Sequence, residues 1–478
     1  MYEFPVCRFP EEAGVSSKGV LTFVKKALES KLGYHSVVVL RHGKVAAKIN
    51  FAPYDDKTPH VMYSLSKTFC SAACGFAVAE GLLSWDSKVV DVLPECAPDN
   101  PSEDLKKITL SHLLCMGSGL HEDSDEFNGF VGVENWGKRT LSYPVVHEPG
   151  TYFHYNSHGT YLASRMVQKV AGMNIRDYLM PRMFEKIGIR KPEWDMCPQG
   201  VCCGGWGLHV SSMDVARFGQ LLLQDGMWNG ERVLPEGWVE NASSVHIDNA
   251  HHMPGVENDW NQGYGYQIWR CRYGRFRGDG MFGQYCVVDK KNDMVVAVTA
   301  GCGEIEKELD WVHQYLFDAA GMEEGTTEEK QELAQMLENL AYPIPSGAGD
   351  RTVNGVVTYR YDDYEVDMEF SQEEVGGDIV VKAKQVVLPG QKEVVTLRFG
   401  EGHFVMGDSP AGDVLTKTVP VSGAYGWQDG KLTLVARTPY GPYTMDNTFR
   451  FEADGVYVDG SSVGYPFAYQ NLKLEGTI

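Results

Sequence analysis

From Ser36 to Lys48 the chain reads Ser-Val-Val-Val-Leu-Arg-His-Gly-Lys-Val-Ala-Ala-Lys. A β-branched run, a turn at His42-Gly43-Lys44 and a return run predict a β-hairpin over about 36–50. From Ser64 to about Glu80 the pattern changes to small, apolar, alanine-rich residues without proline. That predicts a closely packed helix stopping at Gly81 or soon after. A second helix is predicted from Ser157 to Ala171, where Tyr161, Leu162, Met166, Val167 and Val170 repeat at helical spacing before Gly172. Ser211 or Ser212 caps a third, with Asp214 in its first turn and Val215, Phe218, Leu221 and Leu222 on its apolar face. Strand-like runs at Gln284–Asp289 and Met294–Ala300 flank a Lys290-Lys291-Asn292-Asp293 turn, and a helix around Asp310–Phe317 closes this part.

The pattern shifts after about Gly321. Glu323–Leu340 is acidic and periodic, as expected of a linker helix, and Pro343-Ile344-Pro345-Ser346-Gly347-Ala348-Gly349 breaks the chain as a loop. From Thr352 onward, short alternating runs such as Val356–Tyr361 and Leu432–Arg437 are separated by regularly spaced turn residues. They predict an all-β sandwich or barrel. No internal repeat of fixed period is present. For a chain of 478 residues the expected division is therefore a first domain over 1–321, a linker over 322–350 and a β domain over 351–478.

Charge and cysteine usage exclude several functions. A net charge of −21 argues against nucleic-acid binding, which needs a basic surface, and against electrostatic docking on anionic lipid. No stretch offers about 18 uninterrupted apolar residues for a membrane span. Met1–Pro10 lacks the basic and apolar regions of a secretory signal. Eleven cysteines, an odd and irregularly spaced set with Cys202 and Cys203 adjacent, suit free thiols better than a disulfide framework. Together these features predict a cytoplasmic protein.

The chemistry concentrates in Ser64-Leu65-Ser66-Lys67, the one S-x-x-K in the chain, at the front of the alanine-rich helix. Residues i and i+3 share a helix face, so Lys67 can reach the Ser64 hydroxyl. The helix N-terminus favours an alkoxide there, and a desolvated lysine gives up its proton more easily. The same letters would also suit a capping serine with a surface lysine. Pro149–Ser157 precedes the second predicted helix, and Tyr155 within it could present its phenol to the pair and shuttle a proton to a leaving group. A buried aromatic with a satisfied hydroxyl is the plainer alternative.

These residues together resemble the serine β-lactamase and penicillin-binding-protein superfamily, in its class C β-lactamase-like, esterase-rich branch. The likeness covers roughly residues 10–320. It includes the S-x-x-K helix with its continuation Phe76–Leu83, the Leu113–Leu120 stretch similar to an LLxMxSGL loop, the Gly204-Gly205-Trp206-Gly207-Leu208 run and the strands after Gly283-Gln284-Tyr285. The resemblance implies an α/β (α+β) β-lactamase/transpeptidase-like domain, its antiparallel sheet flanked by helices with a helical subdomain, ahead of the C-terminal all-β barrel-like domain. It implies Ser64 as nucleophile, Lys67 as base and Tyr155 as proton relay. From the residues themselves, the absence of a G-x-x-x-x-G-K-[ST] run and of metal-ligand spacing predicts no cofactor and no metal.

Two departures qualify the site. The usual Y-x-N motif reads Tyr155-Asn156-Ser157, so either Asn156 or Ser157 must help hold a substrate carbonyl. The usual K-T-G or H-x-G reads Gly278-Asp279-Gly280, with no base to meet a substrate carboxylate, and the direction of Arg275 and Arg277 is open. That argues against β-lactams or D-alanyl peptides as substrates. Oxyanion donors are expected at the Ser64 amide and, after Gly280, the Met281 amide. His154 and His158 read as packing or surface residues, and His251-His252 has no third ligand at metal spacing. Gly263–Tyr266 and Trp269 suit a pocket wall or an aromatic core.

The resulting expectation is a serine hydrolase that cleaves a small ester or amide through an acyl-enzyme. Acyl transfer to an alcohol or amine uses the same intermediate. A non-catalytic binding protein on a degenerate scaffold is a further alternative, and a cell-wall enzyme fits less well without an export signal. The partner is a small-molecule substrate, with homo-oligomerisation left open.

Overall fold

The computed structural model describes the chain apart from residues 1–2, 31, 122–129, 131, 256, 362–363, 389–390, 413–417 and 464–467. The first hairpin joins β1 (Tyr34–Arg41) to β2 (Lys44–Asn50). His42 and Gly43 between them both have positive φ, 51° and 68°, which matches the strand twist across a two-residue turn. β3 (Trp269–Arg270), β4 (Phe276–Gly280), β5 (Gln284–Asp289) and β6 (Met294–Ala300) complete a six-stranded sheet in the order β2-β1-β6-β5-β4-β3. The β3–β4, β4–β5 and β5–β6 pairs are antiparallel.

Every residue of β5 and β6 is buried, so both faces of the sheet are covered. On one face lies α4 (Ser212–Leu223), which starts from a reciprocal cap between Ser211 and Asp214. It sits so close that a Cβ on Gly219 would come within 2.5 Å of Val295. Tyr285, next to the α4-facing Cys286, points the other way and donates to the carbonyl of Ile305. That face carries α1 (Ser17–Ser30) and α5 (Ile305–Trp311), which continues as a π-helix over Val312–Phe317. α2 (Ser66–Ala79) is buried from Ser66 through Ala77, and α3 (Ser157–Ala171) ends at Gly172 with φ 72°. α2 carries glycine at position 75 because a Cβ there would lie 2.3 Å from the Trp238 ring.

The chain divides into two units. The first comprises Met1–Ile49, Pro59–Thr299 and Glu304–Glu338, and so includes α6 (Thr327–Glu338). The second comprises Asn50–Thr58, Ala300–Gly303 and Asn339–Ile478. Within it Ala52 and Tyr342 belong together: the Ala52 amide donates to Leu340 O, the Tyr342 amide donates to Ala52 O, and Phe51 stacks on Tyr342 at 5.4 Å.

The second unit is a barrel. Its strands are β7 (Gly355–Tyr361), β8 (Tyr364–Ser371), β9 (Ile379–Leu388), β10 (Gln391–Glu401), β11 (Val405–Gly412), β12 (Thr418–Gln428), β13 (Lys431–Arg437), β14 (Thr444–Glu452), β15 (Gly455–Val463) and β16 (Ala468–Thr477). They follow the order β10-β9-β8-β7-β16-β15-β14-β13-β12-β11, and a parallel β10–β12 pairing at Gly400–Ala424 closes a ring of nine, with β11 outside it. Closure pairs the nine ring strands on both sides, which removes the edges an open sheet would expose. Val357, Phe370, Phe399, Tyr425, Leu434 and Phe449 fill the interior, so it is a core and not a lumen. Among the described residues no helix is long and apolar enough to cross a membrane.

The contact at Gly75 gives a stability test. Gly75→Ala forces a methyl into the Trp238 ring, and the expected outcome is a loss of about 1–3 kcal/mol of unfolding free energy, read by denaturant titration. A gain in stability, as a helical glycine in open space would give on replacement by alanine, would contradict this packing.

Candidate active site

Ser64 is held from both sides in sequence. Ahead of it, strand His60–Val61 pairs with Leu208–Val210, and the Met62 amide donates to Leu208 O at 2.8 Å. Tyr63 then takes φ 44°, a left-handed conformation that costs a non-glycine residue about 1–3 kcal/mol. Ser64 lies in the 3₁₀ turn Tyr63–Leu65 that leads straight into α2. Behind it, Ser66 Oγ accepts from the Leu208 amide at 3.0 Å. Thr68 Oγ1 donates to Gln267 O at 2.9 Å. The Gln267 side chain in turn donates to the carbonyls of Leu113 and Leu114 and accepts from Thr160, so one buried residue, through its backbone carbonyl and its side-chain amide, joins α2, α3 and the Leu113–Leu120 stretch.

Lys67 is 1 % exposed, and its ammonium nitrogen faces three oxygens. Nζ donates to Ser64 Oγ at 2.9 Å, to Ser157 Oγ at 3.0 Å and to Gly205 O at 2.8 Å. The ammonium form of Lys67 has a donor for each of these oxygens, and the neutral form has two donors with a lone pair left to accept from Ser64. Nζ also lies 4.7 Å from the centre of the Tyr155 ring. Gly205 carries no side chain for a local reason: a Cβ there would meet Ser157 O at 2.7 Å. The sequence offered no sign that the Gly205 carbonyl would face Lys67, because backbone carbonyl direction leaves no trace in residue type.

The two readings of Tyr155-Asn156-Ser157 are placed differently. Asn156 is the N-cap of α3, where its side-chain oxygen accepts from the Gly159 amide, and its Nδ2 donates to Leu120 O at 3.5 Å. Ser157, the first residue of α3, turns its hydroxyl to Lys67. Tyr155 stacks on Trp269 at 5.6 Å and 18°, and Trp269 meets Tyr264 edge-on at 4.8 Å. Burial pushes the Tyr264 phenol up, and the charges of Tyr155 and Asp279 add to the shift, so Tyr264 lies within electrostatic reach of both.

β4 approaches the Ser64 turn without side chains. A Cβ on Gly280 would meet Met62 O at 2.2 Å and the Leu65 amide at 3.1 Å, and one on Gly278 would meet Leu65 and Thr68. Met281, directly after Gly280, has a half-exposed side chain. The intervening residues project to the opposite face, and neither arginine there is free for a substrate. Arg277, wholly buried, pairs with Asp279 at 2.7 Å and donates to Asp259 O, with its guanidinium over Trp260 and Trp269. Arg275 pairs with Asp289 at 2.8 Å and reaches His313. The Arg277–Asp279 pair went unread in the sequence, although strand alternation puts i and i+2 on one face.

The remaining candidates fill packing roles. His158 is buried against Phe130 at 4.0 Å. His251 Nε2 donates to Phe153 O at 2.9 Å, and the ring stacks on Tyr152. His252 lies near Phe153 and Trp269. The His154 amide donates to Met116 O. Among the described residues no group of three or more His, Cys, Asp or Glu side chains is arranged to hold a metal ion.

Comparison with known proteins places this geometry. The sequence model described as Beta-lactamase matches residues 32–302. The 6-aminohexanoate-dimer hydrolase of Paenarthrobacter ureafaciens is 25 % identical over 279 residues, 54 % of this chain and 70 % of that protein. Among solved structures, the octameric penicillin-binding protein homologue of Pyrococcus abyssi aligns with a TM-score of 0.51 at 16 % identity, covering 96 % of this chain and 99 % of that one. EstCE1, described as a hydrolase with promiscuous acyltransferase activity, aligns with a TM-score of 0.52 at 15 % identity, covering 64 % of this chain and 99 % of its own. At these identities the structural matches speak for the fold.

The charged cluster behind β4 has a pH signature. Burial opposes ionisation of Asp259, but hydrogen bonds from His313 and Arg272 and the charge of Arg277 outweigh it and hold the carboxyl below the ordinary carboxylate range. A depressed carboxyl adds stability that is present above its unfolded value, about 4, and is lost as pH falls below it. Melting temperature should therefore drop as pH falls below about 4. Asp259→Asn should flatten that acid limb, and an unchanged slope in thermal melts across pH would remove Asp259 from the account.

Proposed function

The chain belongs to the Beta-lactamase family, a family of serine hydrolases, and we propose that it cleaves a small ester or amide through an acyl-enzyme on Ser64. The observation that carries this reading is the 2.9 Å contact between Lys67 Nζ and Ser64 Oγ at a buried helix start. Lys67, assisted by Tyr155, takes the Ser64 proton, and Ser64 Oγ attacks the carbonyl carbon. The developing oxyanion is received by the Ser64 amide and by the Met281 amide, which follows the close-packed Gly280. Ser157 supports Lys67 and Asn156 anchors the helix behind it. The leaving group departs with a proton, and water releases the acyl group.

The substrate reading rests on what surrounds Ser64. With Arg275 and Arg277 both engaged by carboxylates, β4 offers no free cation to a substrate carboxylate, which favours a neutral acyl substrate over a β-lactam. The name of the Paenarthrobacter relative is in keeping with amide hydrolysis. Acyl transfer is the second reading, favoured by the activity described for EstCE1. The octameric Pyrococcus relative suggests assembly into a homo-oligomer. Free thiols at all eleven cysteines fit a reducing, cytoplasmic setting.

The test is intact-protein mass spectrometry after exposure to a fluorophosphonate. One adduct is expected on the native chain and none on Ser64→Ala. Lys67→Met, which removes the base while keeping the aliphatic stem, should slow labelling by at least about 100-fold. Well-folded native protein that takes no adduct would sink the acyl-enzyme. Adding an alcohol or amine acceptor to an ester assay and analysing the products separates transfer from hydrolysis.

A further inference from the structure

The Lys67 partners differ in one chemical respect. Gly205 O can only accept a hydrogen bond, whereas the Ser157 hydroxyl can accept from Lys67 and donate its own hydrogen onward. Ser64, Lys67 and Ser157 thus form a chain of proton-exchanging groups with steps of 2.9 and 3.0 Å. Both steps lie within the reach of direct proton transfer. An asparagine at position 157 could not complete such a chain, since a carboxamide does not pass a proton from one atom to another. The backbone also holds the far end in place. Ser157 is the first residue of α3, fixed by the Asn156 cap on one side and by the close approach of Gly205 to its carbonyl on the other.

We infer that Ser157 returns the proton to the leaving group, a role that rests on the acyl-enzyme reading above. Neutral Lys67 accepts the Ser64 proton as the Ser64 oxygen bonds to the carbonyl carbon. When the tetrahedral intermediate collapses, the carbon–leaving-group bond breaks and its electron pair stays on the leaving oxygen or nitrogen. That atom takes the Ser157 hydrogen while Ser157 takes one from the Lys67 ammonium. Lys67 ends neutral, Ser157 ends as a hydroxyl, and the net transfer is one proton from Ser64 to the departing group. Tyr155 then acts on the first transfer, at the Lys67–Ser64 pair, and not on the last.

The leaving group distinguishes a proton donor from a packing residue. p-Nitrophenolate departs readily without a proton, whereas an alkoxide does not. The experiment compares kcat/KM for ethyl butyrate and p-nitrophenyl butyrate in the native protein, Ser157→Ala, Ser157→Thr and Tyr155→Phe. Ser157→Ala is expected to lose about 100-fold or more on the ethyl ester and under about 10-fold on the p-nitrophenyl ester. Ser157→Thr, which keeps the hydroxyl, should restore the native ratio of the two, and Tyr155→Phe should lower both rates together. Equal losses on both esters in Ser157→Ala, or a leaving-group dependence that appears in Tyr155→Phe instead, would overturn the assignment. Because the readout is a ratio, a partial loss of folded protein does not affect it. Fluorophosphonate labelling of the native Ser64 keeps the two readings apart: absent labelling fails the acyl-enzyme, while labelling with equal losses fails Ser157 alone.

Discussion

The constraint on which the first unit depends is the burial of a lysine nitrogen beside a serine hydroxyl. Removing an ammonium from water costs several kcal/mol unless oxygen acceptors replace its hydration. Lys67 obtains them from three separate segments: the turn before α2, the start of α3 and the Gly204-Gly205 bend. Each must arrive within about 3 Å, and the neighbouring sequence follows from that. Glycine at 205 lets the bend lie against Ser157, the left-handed Tyr63 turns the chain into α2, and Gln267, through its carbonyl and its side chain, links α2 to α3.

The sheet contributes differently. β4 brings backbone, not side chain, to the Ser64 turn, and its glycines are required by contacts of 2.2 Å to a hypothetical Cβ. Its charged residues look the other way, into a closed network of Arg272, Arg275 and Arg277 with Asp259, Asp279 and Asp289. A wholly buried guanidinium is tolerated there because Asp279 neutralises its charge, Nη1 donates to Asp259 O, and indole rings cover its faces. The strand can therefore hold a rigid edge beside Ser64 while presenting no unpaired cation.

Much of this was legible in the sequence where local spacing determines geometry. Ser64 and Lys67 meet because i and i+3 share a helix face, α3 runs between the predicted ends, and of the two serines read as caps for α4 it is Ser211 that pairs with Asp214. The alternation after Thr352 indicated β structure, but whether sandwich or barrel depended on the β10–β12 pairing, a contact between non-adjacent strands. The choice between Asn156 and Ser157 depended on which residue lies outside the helix, since the cap faces the backbone and the next residue faces α2. The partnership of Gly205 with Lys67 was illegible in principle, because a carbonyl belongs to every residue.

The division of the chain has a consequence for how the protein can be taken apart. The second unit takes residues 50–58 and 300–303 from within the stretch that otherwise builds the first, and its last strand, β16, pairs with its first, β7. No single cleavage of the polypeptide can release the second unit whole. A cut after Glu338 leaves an N-terminal fragment that holds all of the first unit plus two short segments of the second, and a C-terminal fragment that lacks those segments, so the barrel's unit depends on stretches of chain that are translated long before its strands.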